Sequence, residues 1–139
     1  MATVIRPELS KRNKYWIDKH RHYELKHFCL QYPTWKRELI DIYNASRPLS
    51  IVGKVSPTNQ PSDPTANLAL IKILYSERID LIERVAKETD MYLHEYLLKA
   101  ITEGYSYTYL KSKLNIPCSR DTYYDRYRRF FWLLNKERK

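Results

Sequence analysis

The residues with the most evident chemical use are the arginines near the C-terminus. Arg120, Arg126, Arg128 and Arg129 follow Ser119 in a run interleaved with aromatic residues, and Lys111 and Lys113 lie just ahead of it. A guanidinium presents planar, bidentate donors that match phosphate oxygens or the O6/N7 edge of guanine, while an ammonium offers phosphate a compact point charge. The chemistry implied is recognition of a polyanion. Bond-making is not suggested: no G-x-S-x-G, Walker A, H-E-x-x-H or zinc-deaminase pattern occurs, and the carboxylates are scattered. A non-enzymatic protein without a cofactor is the expectation. His20, His22, His27 and Cys29 crowd one stretch, but His20 and His27 stand two helical turns apart, so no metal site is assigned.

Charge agrees with a polyanionic partner. The chain carries +9 on 139 residues, enough to raise encounter rates with nucleic acid by steering and counterion release. The charge is uneven. Residues 1–45 hold 9 basic and 5 acidic side chains and residues 105–139 hold 9 and 3, whereas residues 64–104 hold 5 and 7. No window approaches the roughly 18 consecutive apolar residues of a membrane span, and the N-terminus has no apolar signal stretch; a cytoplasmic location in a bacterial cell, without membrane contact, is expected. Cys29 and Cys118 are far apart and lack C-x-x-C spacing, so both are read as reduced, packed thiols.

The elements that position these residues are all helical. Thirteen tyrosines and two glycines leave little room for phosphate-cradling loops or tight hairpins. Trp16, His20, Tyr23, His27 and Leu30 recur at helical spacing and predict a helix over 11–31 that Pro33 stops. Thr34 is read as the N-cap of a shorter helix over 35–44, completing a basic helical hairpin in residues 1–45. Residues 46–63 contain three prolines and a glycine without helical period and are read as a linker. From Pro64, a first-turn proline after the N-cap type Asp63, the apolar positions Leu68, Ile71, Tyr75, Ile79, Ile82 and Ala86 predict a long central helix. A further helix over 91–103 ends at Gly104, the expected left-handed cap. The expected fold is therefore all-α: an N-terminal hairpin, a linker, and a helical unit over 64–139.

Within that unit, residues 105–139 read as a helix-turn-helix. Ser106 caps a helix over 107–113, residues 114–117 break it with Asn115 suited to left-handed dihedrals, and Ser119 caps the final helix over 119–135. At 100° per residue, Tyr123, Tyr124, Tyr127, Phe130, Phe131 and Leu134 gather on a core side. Asp121, Thr122, Asp125, Arg126, Arg128, Arg129 and Trp132 lie opposite. Arg120, Thr122 and Arg126 are placed for base edges in a major groove, and Lys111, Lys113, Arg128 and Arg129 for phosphates. Asp125 is expected to pair with Arg128 and Arg129, and Trp132 to contact another helix or subunit.

The run SYTYLKSKLNIPCSRDTYYDRYRRFFWLLNKER, through Leu110, Leu114, Ile116, Ser119 and residues 123–129, resembles the C-terminal region of ArpU- and RinA-type late-gene activators of phages and prophages. That region is similar to sigma-factor region 4. The resemblance implies a phage or prophage transcription regulator that reads duplex DNA and touches RNA polymerase. A homodimer is expected as well, because one recognition helix covers only a half-site.

Two competing readings use the same basic surfaces. In one, a phage-encoded interaction protein or inhibitor captures a host ribonucleoprotein or guide RNA; in the other, a DNA-packaging accessory holds DNA without sequence preference. Lys11, Arg12, Lys14, Lys19, Arg21 and Lys26 among N-terminal aromatics suit single-stranded nucleic acid, though a packed hairpin with a wet basic face is the preferred reading of that segment.

Overall fold

Asp18, not the lysine at position 11, starts the first helix. The computed structural model describes residues 11–45 and 64–139, so the segment read as a linker and Asp63 lie outside the described residues. The Asp18 carboxylate accepts from the His20 N–H at 3.0 Å and caps α1 (Lys19–Leu30). Residues 11–15 turn instead, the Asn13 side chain accepting from the Tyr15 N–H at 2.8 Å. A short polar side chain that bonds its own backbone competes with the helix, which is why the predicted start falls eight residues early.

The face of α1 also differs from the one expected. His20 and His27 are exposed, and His22, Leu25, Phe28 and Cys29 are buried. The buried set follows i, i+3, i+6 and i+7, a pattern present in the sequence but masked by the competing aromatic period. The histidines therefore diverge rather than converge.

After the single residue Gln31 comes α2 (Tyr32–Ala45), which takes Pro33 into its first turn. Proline there loses no intrahelical bond; Thr34 is thus inside the helix and not its cap. α2 runs antiparallel to α3 (Pro64–Thr89). Lys36 Nζ lies 3.8 Å from Glu83, and further along α2 the Lys72 ammonium stands 4.5 Å from the Tyr43 ring. Trp35 bridges α1 to α3, against Phe28 (5.0 Å) and Tyr75 (6.4 Å).

α4 (His94–Glu103) begins three residues later than its periodicity suggests. The Asp90 carboxylate accepts from the N–H groups of Tyr92 (2.8 Å) and Leu93 (2.9 Å), forming a corner between α3 and α4. Gly104 closes α4 at φ 78°, the left-handed conformation read from the sequence.

α5 (Tyr107–Leu114) and α6 (Arg120–Glu137) complete the all-helical chain. Among the described residues there is no strand, and no helix long and apolar enough to cross a membrane. α6 is the central strut. Its Phe131 meets His22 of α1 at 4.8 Å, Asn135 accepts from Arg21 Nε at 2.7 Å, and Glu137 accepts from Arg84 of α3 at 3.0 Å. One apolar cluster runs from Ile17 through Ile82, Leu97 and Leu110 to Leu134, so the described parts of residues 1–45 and 64–139 share a continuous core.

His22 gives that core a pH dependence. Burial against Phe131 and Tyr127, with Lys26 nearby, pushes its pKa down to about 4. The unfolded chain binds this proton near pH 6.5, while the fold resists it until about pH 4. The contribution is complete above pH 6.5 and declines as pH falls through that window, by about 3 kcal/mol. Denaturant melts of the parent and His22→Gln at a series of pH values check this: the difference between them should change with that slope, and parallel profiles would refute it.

Candidate nucleic-acid interface

The turn between α5 and α6 is fixed at both ends by local chemistry. Ser106 caps α5 by accepting from the Tyr109 N–H at 3.1 Å, and Ser119 caps α6 by accepting from the Thr122 N–H at 3.2 Å. Asn115 ends α5 at φ 54°, ψ 46°, and the Ile116 N–H closes onto the Leu110 carbonyl at 3.1 Å. Leu110 and Ile116 are fully buried beneath this turn. Tyr107 donates its hydroxyl to the Cys118 carbonyl at 2.6 Å and sets its ring 5.6 Å from that of Tyr123. The two helices and their turn are held as the sequence suggests, with both serine caps and the left-handed asparagine in place.

The seven candidate side chains do not share one environment. Lys111, Lys113 and Arg120 are exposed around the turn, with the Arg120 guanidinium 5.3 Å from the Tyr124 ring. Lys111 also bears on the Cys118 thiol, whose pKa is raised chiefly by burial and then by Asp90, against the lowering influence of Lys111 and Arg126. The first turn of α6 and the last turn of α5 therefore form one corner of three exposed cations, with a single exposed carboxylate, Asp121, beside Arg120.

Thr122 is committed to the cap, its hydroxyl accepting from Ser119 Oγ at 3.0 Å. Arg126 is drawn inward: its Nε donates to Asp90 at 2.9 Å and a second nitrogen to Asp125. Its hydrogen bond to Asp90 is the main cause of its raised pKa. Burial pushes the Asp90 carboxyl up, but the bonds from Arg126, Leu93 and Tyr92 outweigh it and hold the group ionised. Arg128 and Arg129 are half-buried, and Arg128 Nε is enclosed without an acceptor.

Two sequence expectations thus change. Arg126, read as a base-contacting residue, bolts α6 to the α3–α4 corner, and Asp125 pairs with Arg126 instead of Arg128 and Arg129. The cause is Asp90, whose carboxylate stands clear of helix and meets α6 only after the chain has folded. Nothing local to residues 119–135 announces it. Trp132, expected against another helix or subunit, is half-buried and meets Tyr15 of the turn ahead of α1 at 5.5 Å and the Lys136 ammonium of its own helix at 3.4 Å.

Asp90→Ala should therefore cost about 2–3 kcal/mol, the usual scale for hydrogen bonds to a charged group, since it strips Arg126 and two backbone N–H groups together. Urea unfolding measures it; a loss within 0.5 kcal/mol, typical of surface changes, would show that the corner does not hold α6.

Comparison with protein families, curated proteins and solved structures yields no match for this chain.

Proposed function

We propose that the chain binds duplex DNA with the basic corner formed by α5 and the first turn of α6, as a non-enzymatic regulator of the ArpU/RinA type. The observation that supports this is the exposure of Lys111, Lys113 and Arg120 on a helix-turn-helix whose turn is locked by Ser106, Asn115 and Ser119. N-terminal positions of a second helix point deepest into a major groove, so Arg120 is assigned to base edges. Lys111 and Lys113, one helix away, are assigned to flanking phosphates. With Arg126 engaged by Asp90, the reading surface is the tip of α6 rather than its length.

Selection of bound fragments from random duplex DNA, followed by anisotropy titration across salt concentrations, tests the proposal. A recovered consensus bound more tightly than unrelated duplexes is the expected result. Equal affinity for all duplexes would remove the regulatory reading and favour a packaging role. The short reading surface keeps a second reading in view, an interaction protein directed at a host ribonucleoprotein. Preference for structured RNA over any duplex in the same titration would select it.

A further inference from the structure

We infer that two copies of this chain associate through the N-terminal half of α3, helix against antiparallel helix. α3 is 26 residues long, about 39 Å at 1.5 Å per residue, and it outruns its neighbours. The antiparallel pairing with α2 brings Tyr43 to Lys72, close to the end of α2 at Ala45, and residues 65–70 beyond that point are all exposed.

This projecting part is apolar on two sides. Ile71 and Tyr75 turn toward α2 and are half-buried. Leu70, Ile73 and Leu74 lie on the opposite side and are 64%, 55% and 43% exposed. From residue 64 to 76 the only charged side chain is Lys72, which is turned over the Tyr43 ring. A second apolar side, beyond the one turned to α2, calls for a second apolar neighbour. On the Ile73 side the stripe borders a groove of about 450 Å³ between α2 and α3, flanked by the exposed Ile40 and Tyr43.

Charge identifies the occupant as another copy and sets its direction. Although the chain carries +9, α3 holds four basic and four acidic side chains, so two copies meet along it with less repulsion than at their basic ends. Glu77 and Asp80, both exposed, continue the apolar stripe toward the middle of α3. A two-fold axis at Ile73 places them beside residues 69 and 66 of the other copy, within the first turns of its α3. There the helix dipole and unpaired N–H groups favour negative charge. A parallel pair would set Glu77 against Glu77. The antiparallel contact is isologous and closes on itself, stacking two α2–α3 layers as a four-helix bundle.

The inference stands apart from the DNA reading and is measured without nucleic acid. Sedimentation velocity of the full chain at micromolar concentrations should show a dimer, and Leu70→Glu combined with Leu74→Glu should give a monomer of parental helicity. Ile73→Cys in a Cys118→Ser background should form a disulfide-linked dimer under mild oxidation, while Met91→Cys in that background, exposed but remote, should not. A monomeric parent, a double variant that remains dimeric, or cross-linking at Ile73 no greater than at Met91 would each overturn it.

Discussion

Alanine at Phe131 should lower the unfolding free energy by about 3–5 kcal/mol, the range for removing a buried phenylalanine, and should shift a single cooperative transition. Phe131 is 1% exposed and sits edge-on to His22 (4.8 Å), beside Tyr127 (5.0 Å), and perpendicular to Phe130 (5.2 Å). Such aromatic pairs add about 0.5–1.5 kcal/mol to area burial, and the hole left behind cannot collapse while α1 and α6 are pinned by Arg21 and Asn135 at 2.7 Å. Because total stability of a domain is only about 5–15 kcal/mol, the loss is a large share of it.

The shape of the transition matters as much as its position. Trp35 of α2 reports on the N-terminal helices through its contact with Phe28 of α1, and Trp132 reports on α6, and one core joins them. Circular dichroism and tryptophan fluorescence should move together in urea. Two separated transitions, only one of them shifted by Phe131→Ala, would mean that the N-terminal helices fold independently of α6.

The second large effect concerns binding. Replacing Lys111, Lys113 and Arg120 together by alanine should weaken duplex DNA binding by roughly 100-fold or more near physiological salt. Each phosphate contact contributes about 0.9 to the slope of log affinity against log salt, so the slope should fall by about 2–3. All three side chains are exposed, and helicity and melting should stay parental. Arg120→Ala alone should also relax sequence preference by roughly 1–3 kcal/mol, whereas Lys111→Ala or Lys113→Ala should weaken all duplexes alike. An unchanged salt slope in the triple variant would remove the basic corner from any account of DNA binding. Arg126→Ala offers a contrast: with its guanidinium held by Asp90 at 2.9 Å, the main loss should appear in stability.

The parts of the molecule legible in the sequence are those set by neighbours along the chain. Gly104, Ser106, Asn115 and Ser119 occupy the cap and turn positions read for them, because a side-chain oxygen reaching an N–H three residues on, or a left-handed dihedral, depends on a few adjacent residues. The core side of α6 was legible for the same reason. Tyr123, Phe130, Phe131 and Leu134 are buried at helical spacing, with Tyr124 and Tyr127 half-buried beside them.

Where several local patterns compete, the sequence alone does not rank them. The stretch 16–32 contains both a period through Trp16, His20, Tyr23 and His27 and another through His22, Leu25, Phe28 and Cys29. The second is the buried one, since α1 packs on both α4 and α6 and Phe28 also meets Trp35 of α2. The start of α1 follows the same logic, with Asn13 and Asp18 both able to bond the backbone.

By itself, then, the sequence determined that the chain is helical, where most of its helices stop, and that its positive charge gathers toward the two ends. Only tertiary structure decided which cations remain available to a partner. An arginine's reach is short, and its environment depends on carboxylates distant in sequence: Asp90, 36 residues from Arg126, withdraws that guanidinium, while Lys111, Lys113 and Arg120 are exposed because none of the described helices packs over the turn between α5 and α6.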